Sequence, residues 1–394
     1  MLSSSEALVK VLNHTDTLKV RRVPLREALG LTAAADVFSG EALPAFDNSA
    51  VDGYAIHLKD AKTLTLQGEV RAGACLNVAL KKGHTIRVFT GAPVPQGTEA
   101  VVMQEDVEVI SVREILVKKD FLRAQENIRF YGEDIQKGQR LIPQGTLLGP
   151  VHLAVLAAVG QKSVAAYSVP TVAILSTGSE LIKEGARLKP GKIRDSNTIL
   201  LEGLLQKAGV SCITRPAVAD DPKQIRAAIR EGLRADVLLV AGGVSVGKYD
   251  FVKQVLKKQG VREIFWKVNI KPGKPIFFGK KGKTLVFGLP GNPVSVFIAF
   301  QEFVKPCLFK MKGRADSGAF FIEGRMADSF QNGSRPHFVR VRWQEKNGDY
   351  WVRPLKGQGS HQIGSLAESN GVLNLEPDRF LKKGERVSVK ILEE

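Results

Sequence analysis

Val169-Pro-Thr-Val-Ala-Ile-Leu-Ser176, followed at once by Thr177-Gly-Ser-Glu180, is the stretch on which the fold turns. A short, nearly continuous apolar run reads as a strand buried on both faces, and the glycine and polar residues that end it read as a loop at its carboxyl end. Outward from here the pattern repeats. Ser196 to Ala208 reads as a helix closed by Gly209, and Ser211 to Val218 as a second strand. Asp221-Pro222 with Gln224 offers an N-cap, a first-turn proline and a capping-box partner for a helix ending near Leu233. Asp236 to Val240 is a third strand, Phe251 to Gln259 a helix, Thr284 to Leu289 another strand, and Asn292-Pro293 opens a long apolar helix to about Phe309. Such alternation predicts a mainly parallel α/β sheet with ligands outside the carboxyl ends of its strands.

The flanks read differently. Val151 to Val159 is an apolar helix stopped by Gly160, which places a boundary near residue 168. Before it, residues 1–30 carry two helical patterns, Ser5 to Leu12 and a second ending at Gly30. From about Phe46 to Asp134 the text becomes short β segments, Leu64 to Val70, His84 to Thr90 and Val101 to Ile110. After Gly313, Val339 to Trp343, Tyr350 to Arg353 and Arg386 to Leu392 read as strands of a small barrel or sandwich. The expected organisation is multidomain α/β plus β. A helical and β region covers 1–168 with a β domain at about 46–136, the α/β domain covers 169–313, and a β unit covers 314–394.

A chain of 394 residues, 44% hydrophobic and 25% charged, is in the globular range and too long for one core. No run approaches the roughly 18 to 20 apolar residues of a membrane helix, and the first thirty residues lack a signal-peptide stretch, so a cytoplasmic protein is expected. Cys75, Cys212 and Cys307 are unpaired in spacing and the six histidines are dispersed, which argues against disulfides and zinc; any metal should be a hard ion on oxygen ligands. A net charge of +17 suits nucleic acid, an acidic protein surface or a polyanionic small substrate, and 7% aromatic residues is thin for base stacking.

Loops after successive strands carry the chemistry: Ser176-Thr-Gly-Ser-Glu180, Asp220-Asp221-Pro222, Gly242-Gly-Val-Ser-Val-Gly-Lys-Tyr-Asp250 and Gly288-Leu-Pro-Gly-Asn-Pro293. Together they suit a phosphate-bearing ligand, because glycine lets backbone N–H groups approach phosphate oxygens. Gly242 to Lys248 also matches most of a P-loop, but Tyr249 stands where a hydroxyl would hold magnesium. Glu180, Asp220 and Asp250 offer carboxylates from separate segments for Mg²⁺, while Asp221 reads as a helix cap. Lys267, Lys271 and Lys274 around a Pro-Gly turn suit a tetrahedral oxyanion, or are a solvated charged loop. Asp47-Asn-Ser-Ala-Val-Asp-Gly-Tyr-Ala55 and Thr90-Gly-Ala-Pro-Val-Pro95 read as tight turns, functional or plain surface.

In order along the chain, Asp47-Asn48-Ser49 with Asp52-Gly53-Tyr54, Thr90-Gly91-Ala92, Gly132-Glu133-Asp134, Ser176-Thr177-Gly178, Gly242-Gly243-Val244-Ser245, Lys271-Pro-Gly-Lys-Pro275 and Gly288-Leu-Pro-Gly-Asn-Pro293 resemble the molybdopterin molybdenumtransferase family, related to the C-terminal domain of gephyrin. The resemblance implies a homodimer with a helical arm, an inserted β domain, a molybdopterin-binding α/β domain and a C-terminal β barrel, with the cleft shared between subunits. It implies that molybdate is inserted into adenylylated molybdopterin, with release of AMP and dependence on Mg²⁺.

By resemblance, Asp52, Thr90, Asp134, Lys267 and Lys271 would be catalytic. Ser176, Thr177, Gly178, Gly242, Gly243, Ser245, Lys274, Pro290, Gly291, Asn292 and Ser360 would hold substrate, and Glu180, Asp220 and Asp250 the metal. The adenylyltransferase that makes the substrate and recipient apo-molybdoenzymes are the implied protein partners, with no nucleic acid and no membrane. Lys248 departs from the family, whose members often have an acid there. An adenylyltransferase, a non-catalytic scaffold and a nucleic-acid binder are the competing readings.

Overall fold

The computed structural model describes residues 1–60, 62–74, 78–244, 251–316 and 318–392. The chain begins with helix α1 (Ser4–Asn13), started by a capping box in which the Ser3 hydroxyl and the Glu6 carboxylate each accept the other's backbone N–H. Its apolar face, Ala7 and Val11, is buried in the core of the central domain, and Lys310 Nζ donates to Leu12 O at 2.7 Å. The helical pattern expected to end at Gly30 is instead strand β1 (Val20–Pro24) and one 3-10 turn at Leu25–Glu27. Val-Arg-Arg-Val puts only Val23 inside, and Pro24 cannot donate within a helix.

The β domain is one six-stranded sheet. Its strands are β2 (Gly53–Ile56), β3 (Thr63–Val70), β4 (His84–Val88), β5 (Ala100–Met103), β6 (Val107–Ser111) and β7 (Glu114–Val117), in the order β5-β2-β4-β3-β7-β6. The single strand expected over Val101 to Ile110 is thus two, at opposite edges. The polar run Gln104-Glu105-Asp106 forms a 3-10 turn between them, and Gln104 N donates to Asp52 O. Helix α2 (Pro150–Ala158) and strand β8 (Ser163–Tyr167), which pairs antiparallel with β1, complete this region.

The central domain follows the expected alternation: β9 (Val172–Ser176), α3 (Ser196–Lys207), β10 (Cys212–Thr214), α4 (Pro222–Gly232), β11 (Val237–Ala241), α5 (Val252–Lys258), β12 (Arg262–Trp266), β13 (Phe277–Lys281) and β14 (Thr284–Leu289). The sheet order is β10-β9-β11-β14-β13-β12; the first three pairings are parallel and the last two antiparallel. Successive strand residues point to opposite faces, and both faces are covered. Ala173, Leu175, Leu238 and Val240 pack with α4 and α5, whereas Val172, Ile174, Val237 and Leu239 pack with α1, α3 and the helices after β14. Those are α6 (Pro293–Ala299) and α7 (Lys305–Met311), joined by a π turn at Phe300–Val304. The long helix expected to about Phe309 thus runs unbroken to Met311 with one wider turn inside it; Pro306 has no N–H to give the preceding turn, and the wider turn stands just before it.

The C-terminal unit is a closed barrel of β15 (Phe321–Met326), β16 (His337–Lys346), β17 (Asp349–Pro354), β18 (Gly371–Leu375) and β19 (Arg386–Ile391), ordered β15-β17-β16-β18-β19 around a Val- and Leu-rich interior. Among the described residues no helix is long and apolar enough to cross a membrane.

Candidate active site

The parallel strands of the central sheet deliver their loops to one cleft of about 450 Å³, lined by Thr177, Gly178, Glu180, Asp220, Gly242, Gly243, Pro290, Gly291 and Asn292 among others. Each leaves the carboxyl end of β9, β11 or β14 or the segment after β10, as an open α/β sheet requires. Gly242 (φ +91°) and Gly243 (φ +64°) have to be glycine. A Cβ on Gly242 would lie 2.5 Å from Thr177 O, and one on Gly243 would lie 2.5 Å from Val252 Cγ2.

The fold itself uses several of these amides. Thr177 N donates to Ala241 O, Gly178 N to Val218 O and Gly242 N to Leu289 O, so these stitch neighbouring loops together. The N–H groups of Gly243, Gly291 and Asn292 make no hydrogen bond among the described residues and remain for an anion. Ser179 and Asp220 are reciprocally bonded, Ser179 N to Asp220 Oδ2 and Asp220 N to Ser179 Oγ, each at 3.0 Å. Asp221 is the N-cap of α4, accepting from Lys223 N at 2.6 Å.

Glu180 and Asp220 are the two expected metal carboxylates that the cleft gathers; Asp250, like Ser245 and Lys248, lies outside the described residues. No cluster of three or more metal-type side chains occurs among the described residues. Two carboxylates beside a phosphate-sized cleft nonetheless fit Mg²⁺, which typically takes one or two carboxylates and completes its shell with water and substrate phosphate.

Ser176 does not reach the cleft: it is buried, and its hydroxyl bonds to Thr198 Oγ1 at 2.8 Å. Ser360 stands at the rim, accepting from Asn292 Nδ2 at 2.7 Å, with its carbonyl accepting from Val294 N. Its loop is held by Arg340, which is fully buried and donates to Ser365 Oγ and to the carbonyls of Gly357 and Gly359. Burial pushes the Arg340 pKa down to about 10.

Sequence reading passed over Arg194, Asp195, Ser196, Asn197 and His361, all of which line the cleft. Asp195 caps α3 by accepting from Thr198 N, a signal visible one residue before the helix start that was read. Asn197 Nδ2 donates to Gly291 O at 2.7 Å, while Asn197 Oδ1 and Thr177 Oγ1 are buried with no hydrogen-bond partner among the described residues. Two orphaned polar atoms in a cleft wall are costly unless a ligand completes them.

The lysines lie on the antiparallel side. Trp266 pairs with Phe277, Phe277 with Gly288 and Gly288 with Val240, so Lys267 leaves the sheet at the level where the glycine loops leave it. Lys271 is pinned by the barrel: its N–H donates to Pro336 O and its carbonyl accepts from Phe338 N. Lys274 is exposed, its carbonyl accepting from Val268 N and Ile276 N. Beneath Lys271, His337 is buried and bonds Asn332 Oδ1 through Nδ1; burial, then the nearby Lys271, Arg340 and Arg335 charges, lower its pKa to about 4. None of the three lysines lines the cleft within this chain.

Asp52 and Thr90 form a pair of their own on the β domain. Asp52 Oδ1 accepts from Thr90 N and Thr90 Oγ1, both at 2.8 Å, and these bonds hold the carboxyl below the usual range. Asp134 is exposed on a neighbouring turn, its N–H donating to Leu43 O. Neither Asp52 nor Asp134 lines the central cleft within one chain.

Family models match the chain in three consecutive pieces: MoeA N-terminal region (domain I and II) over residues 2–160, probable molybdopterin binding domain over 173–310, and MoeA C-terminal region (domain IV) over 323–392. The molybdopterin molybdenumtransferase of Haemophilus influenzae is 35% identical over 99% of this chain and 98% of its own length. That of Bacillus subtilis is 30% identical over 99% and 94%. A solved molybdopterin biosynthesis MoeA protein from Pyrococcus horikoshii superposes with a TM-score of 0.81 at 31% identity, over 100% of both chains.

Proposed function

The chain belongs to the molybdopterin molybdenumtransferase family, and from that premise we propose that it inserts molybdate into adenylylated molybdopterin, releasing AMP, at the cleft of the central domain. The observation that carries this reading is the paired arrangement at one edge of one sheet. Glycine loops with unspent amides and orphaned polar atoms stand at the ends of β9, β11 and β14, and a lysine loop leaves the same edge after β12.

The pterin and its pyrophosphate are held by the amides of Gly243, Gly291 and Asn292, by Thr177 Oγ1 and Asn197 Oδ1, and at the rim by Ser360. Lys267 and Lys271 attract molybdate and neutralise charge that develops as an oxygen of water or of molybdate attacks phosphorus, the pyrophosphate P–O bond breaks and AMP departs; the dithiolene sulfurs of the pterin then take the molybdenum, and the displaced oxo groups leave as water with the thiol protons. Glu180 and Asp220, with Asp250, would hold Mg²⁺, which when bound neutralises phosphate oxygens. Asp52, Thr90 and Asp134 are read as the contribution of a second subunit, since they lie outside the cleft of their own chain and Thr90 and Asp134 are exposed. A homodimer, a cytoplasmic setting and contacts with the adenylyltransferase and recipient apo-molybdoenzymes belong to the same reading.

The test is AMP release from adenylylated molybdopterin by the purified chain with Mg²⁺, with and without molybdate, followed by activation of an apo-molybdoenzyme by the product. Molybdate-dependent AMP and an active cofactor are expected. No AMP from folded, dimeric protein would overturn the reading in favour of a scaffold.

A further inference from the structure

Trp266, the last residue of β12, makes contacts to both sides of the site. Its indole N–H donates to Val244 O at 3.1 Å, and Val244 lines the cleft directly after the glycine pair. Its ring carries two ammonium groups, Lys267 Nζ at 4.0 Å and Lys253 Nζ at 3.6 Å from the centroid. Cations are attracted to an indole face but repel one another, so two on one ring need a counter-charge. Lys253 has it, in Glu263 at 3.1 Å. Lys267 has no carboxylate within ion-pairing distance among the described residues. Among the described residues the charge left over at this ring is that of Lys267.

The backbone agrees. Lys267 has φ +74°, a left-handed conformation costly for a residue with a Cβ, and it is held there by its N–H donating to Ile276 O at 2.9 Å. Strain of this kind persists where surrounding structure imposes it, and it marks functional positions. A free lysine samples many rotamers; here the ring confines the ammonium before any anion arrives.

We propose that Trp266 is a positioning residue: one side chain holds the Lys267 ammonium on its ring and the cleft wall at Val244 on its N–H, and so fixes the distance between the oxyanion site and the pterin site. The inference rests on reading Lys267 as an oxyanion-binding group. The two arms separate by substitution. Trp266→Leu removes both, and raises KM for molybdate about tenfold and KM for adenylylated molybdopterin about threefold. Trp266→Phe keeps a ring under Lys267 and loses the N–H, so KM for the pterin rises about threefold while KM for molybdate stays within about threefold.

The decisive experiment is a double-variant cycle in the molybdate-dependent AMP assay on the full chain, with folding checked by circular dichroism. In a Lys267→Ala background, Trp266→Leu should add no further change in KM for molybdate. A further tenfold rise there, or equal shifts of both KM values in Trp266→Phe and Trp266→Leu, overturns the proposal and leaves Trp266 a packing residue. Wild-type turnover by Lys267→Ala alone instead overturns the reading of Lys267, and the proposal with it. Should Trp266→Leu not fold, Trp266→Met, which fills the space without a π face, takes its place in the cycle.

Discussion

The two halves of the central sheet present different chemistry at one edge. β10, β9, β11 and β14 run parallel, and among the described residues Arg194 is the one lysine or arginine from their loops that lines the cleft, where glycine brings backbone close to backbone. β13 and β12 turn antiparallel, and the connection between them carries Lys267, Lys271 and Lys274 out of the same edge. The parallel half offers amides and orphaned polar atoms, which suit a shaped, hydrogen-bonding ligand; the antiparallel half offers ammonium groups, one held on a ring and one on a backbone seated by the barrel. A sheet that changes direction thus puts two kinds of recognition side by side.

The comparison breaks first at the glycines. Gly243→Ala forces a Cβ to 2.5 Å from Val252 Cγ2 at a positive φ, and should cost about 2–4 kcal/mol in denaturant unfolding as well as abolishing turnover. Unchanged stability would show that the loop relaxes freely. Lys271→Ala, on the other half, should lower molybdate-dependent turnover about a hundredfold and move the unfolding midpoint by less than about 1 kcal/mol, because the contacts that seat Lys271 are made by its backbone. Equal losses of stability and turnover would mean that the lysine is structural.

Acid should loosen the lysine half through His337. Its pKa is lowered on folding to about 4 from an unfolded value near 6.5, so the unfolded chain binds the proton first. Stability is then unaffected above about pH 6.5, falls as pH drops through the window between the two values, and levels off below about 4. The loss reaches about 2 kcal/mol by pH 5, and His337→Gln should flatten that dependence when unfolding is followed across pH. The smallest effect belongs to the parallel half: Asp221→Ala removes the cap of α4 and should cost about 1 kcal/mol with little change in turnover.

Legibility followed the same division. The parallel half could be read because buried strands appear as unbroken apolar runs, as at Val172–Ser176 and Val237–Ala241, and because glycines and caps punctuate them. β12 and β13 could not. Phe277-Phe-Gly-Lys-Lys281 runs from buried to exposed at its end, so its lysines dominate the text and hide the strand. Arg262–Trp266 is an edge strand with exposed polar residues, and edge strands lose the periodic signal. In the site, glycine and carboxylate positions were visible, whereas Asn197 was hidden in a helix start and Arg340 in a barrel strand, where a buried cation with no acid partner among the described residues has no local signature. The Asp52–Thr90 bond joins residues far apart in sequence through strand pairing, which local pattern does not encode.

The most direct test of the divided site is to measure adenylylated molybdopterin binding and molybdate-dependent AMP release side by side in Lys271→Ala. Pterin affinity within about threefold of wild type, with AMP release lost, is the result expected if the parallel half holds the pterin and the lysine half handles the oxyanion. Loss of pterin binding in step with AMP release, from protein with wild-type stability, would contradict it.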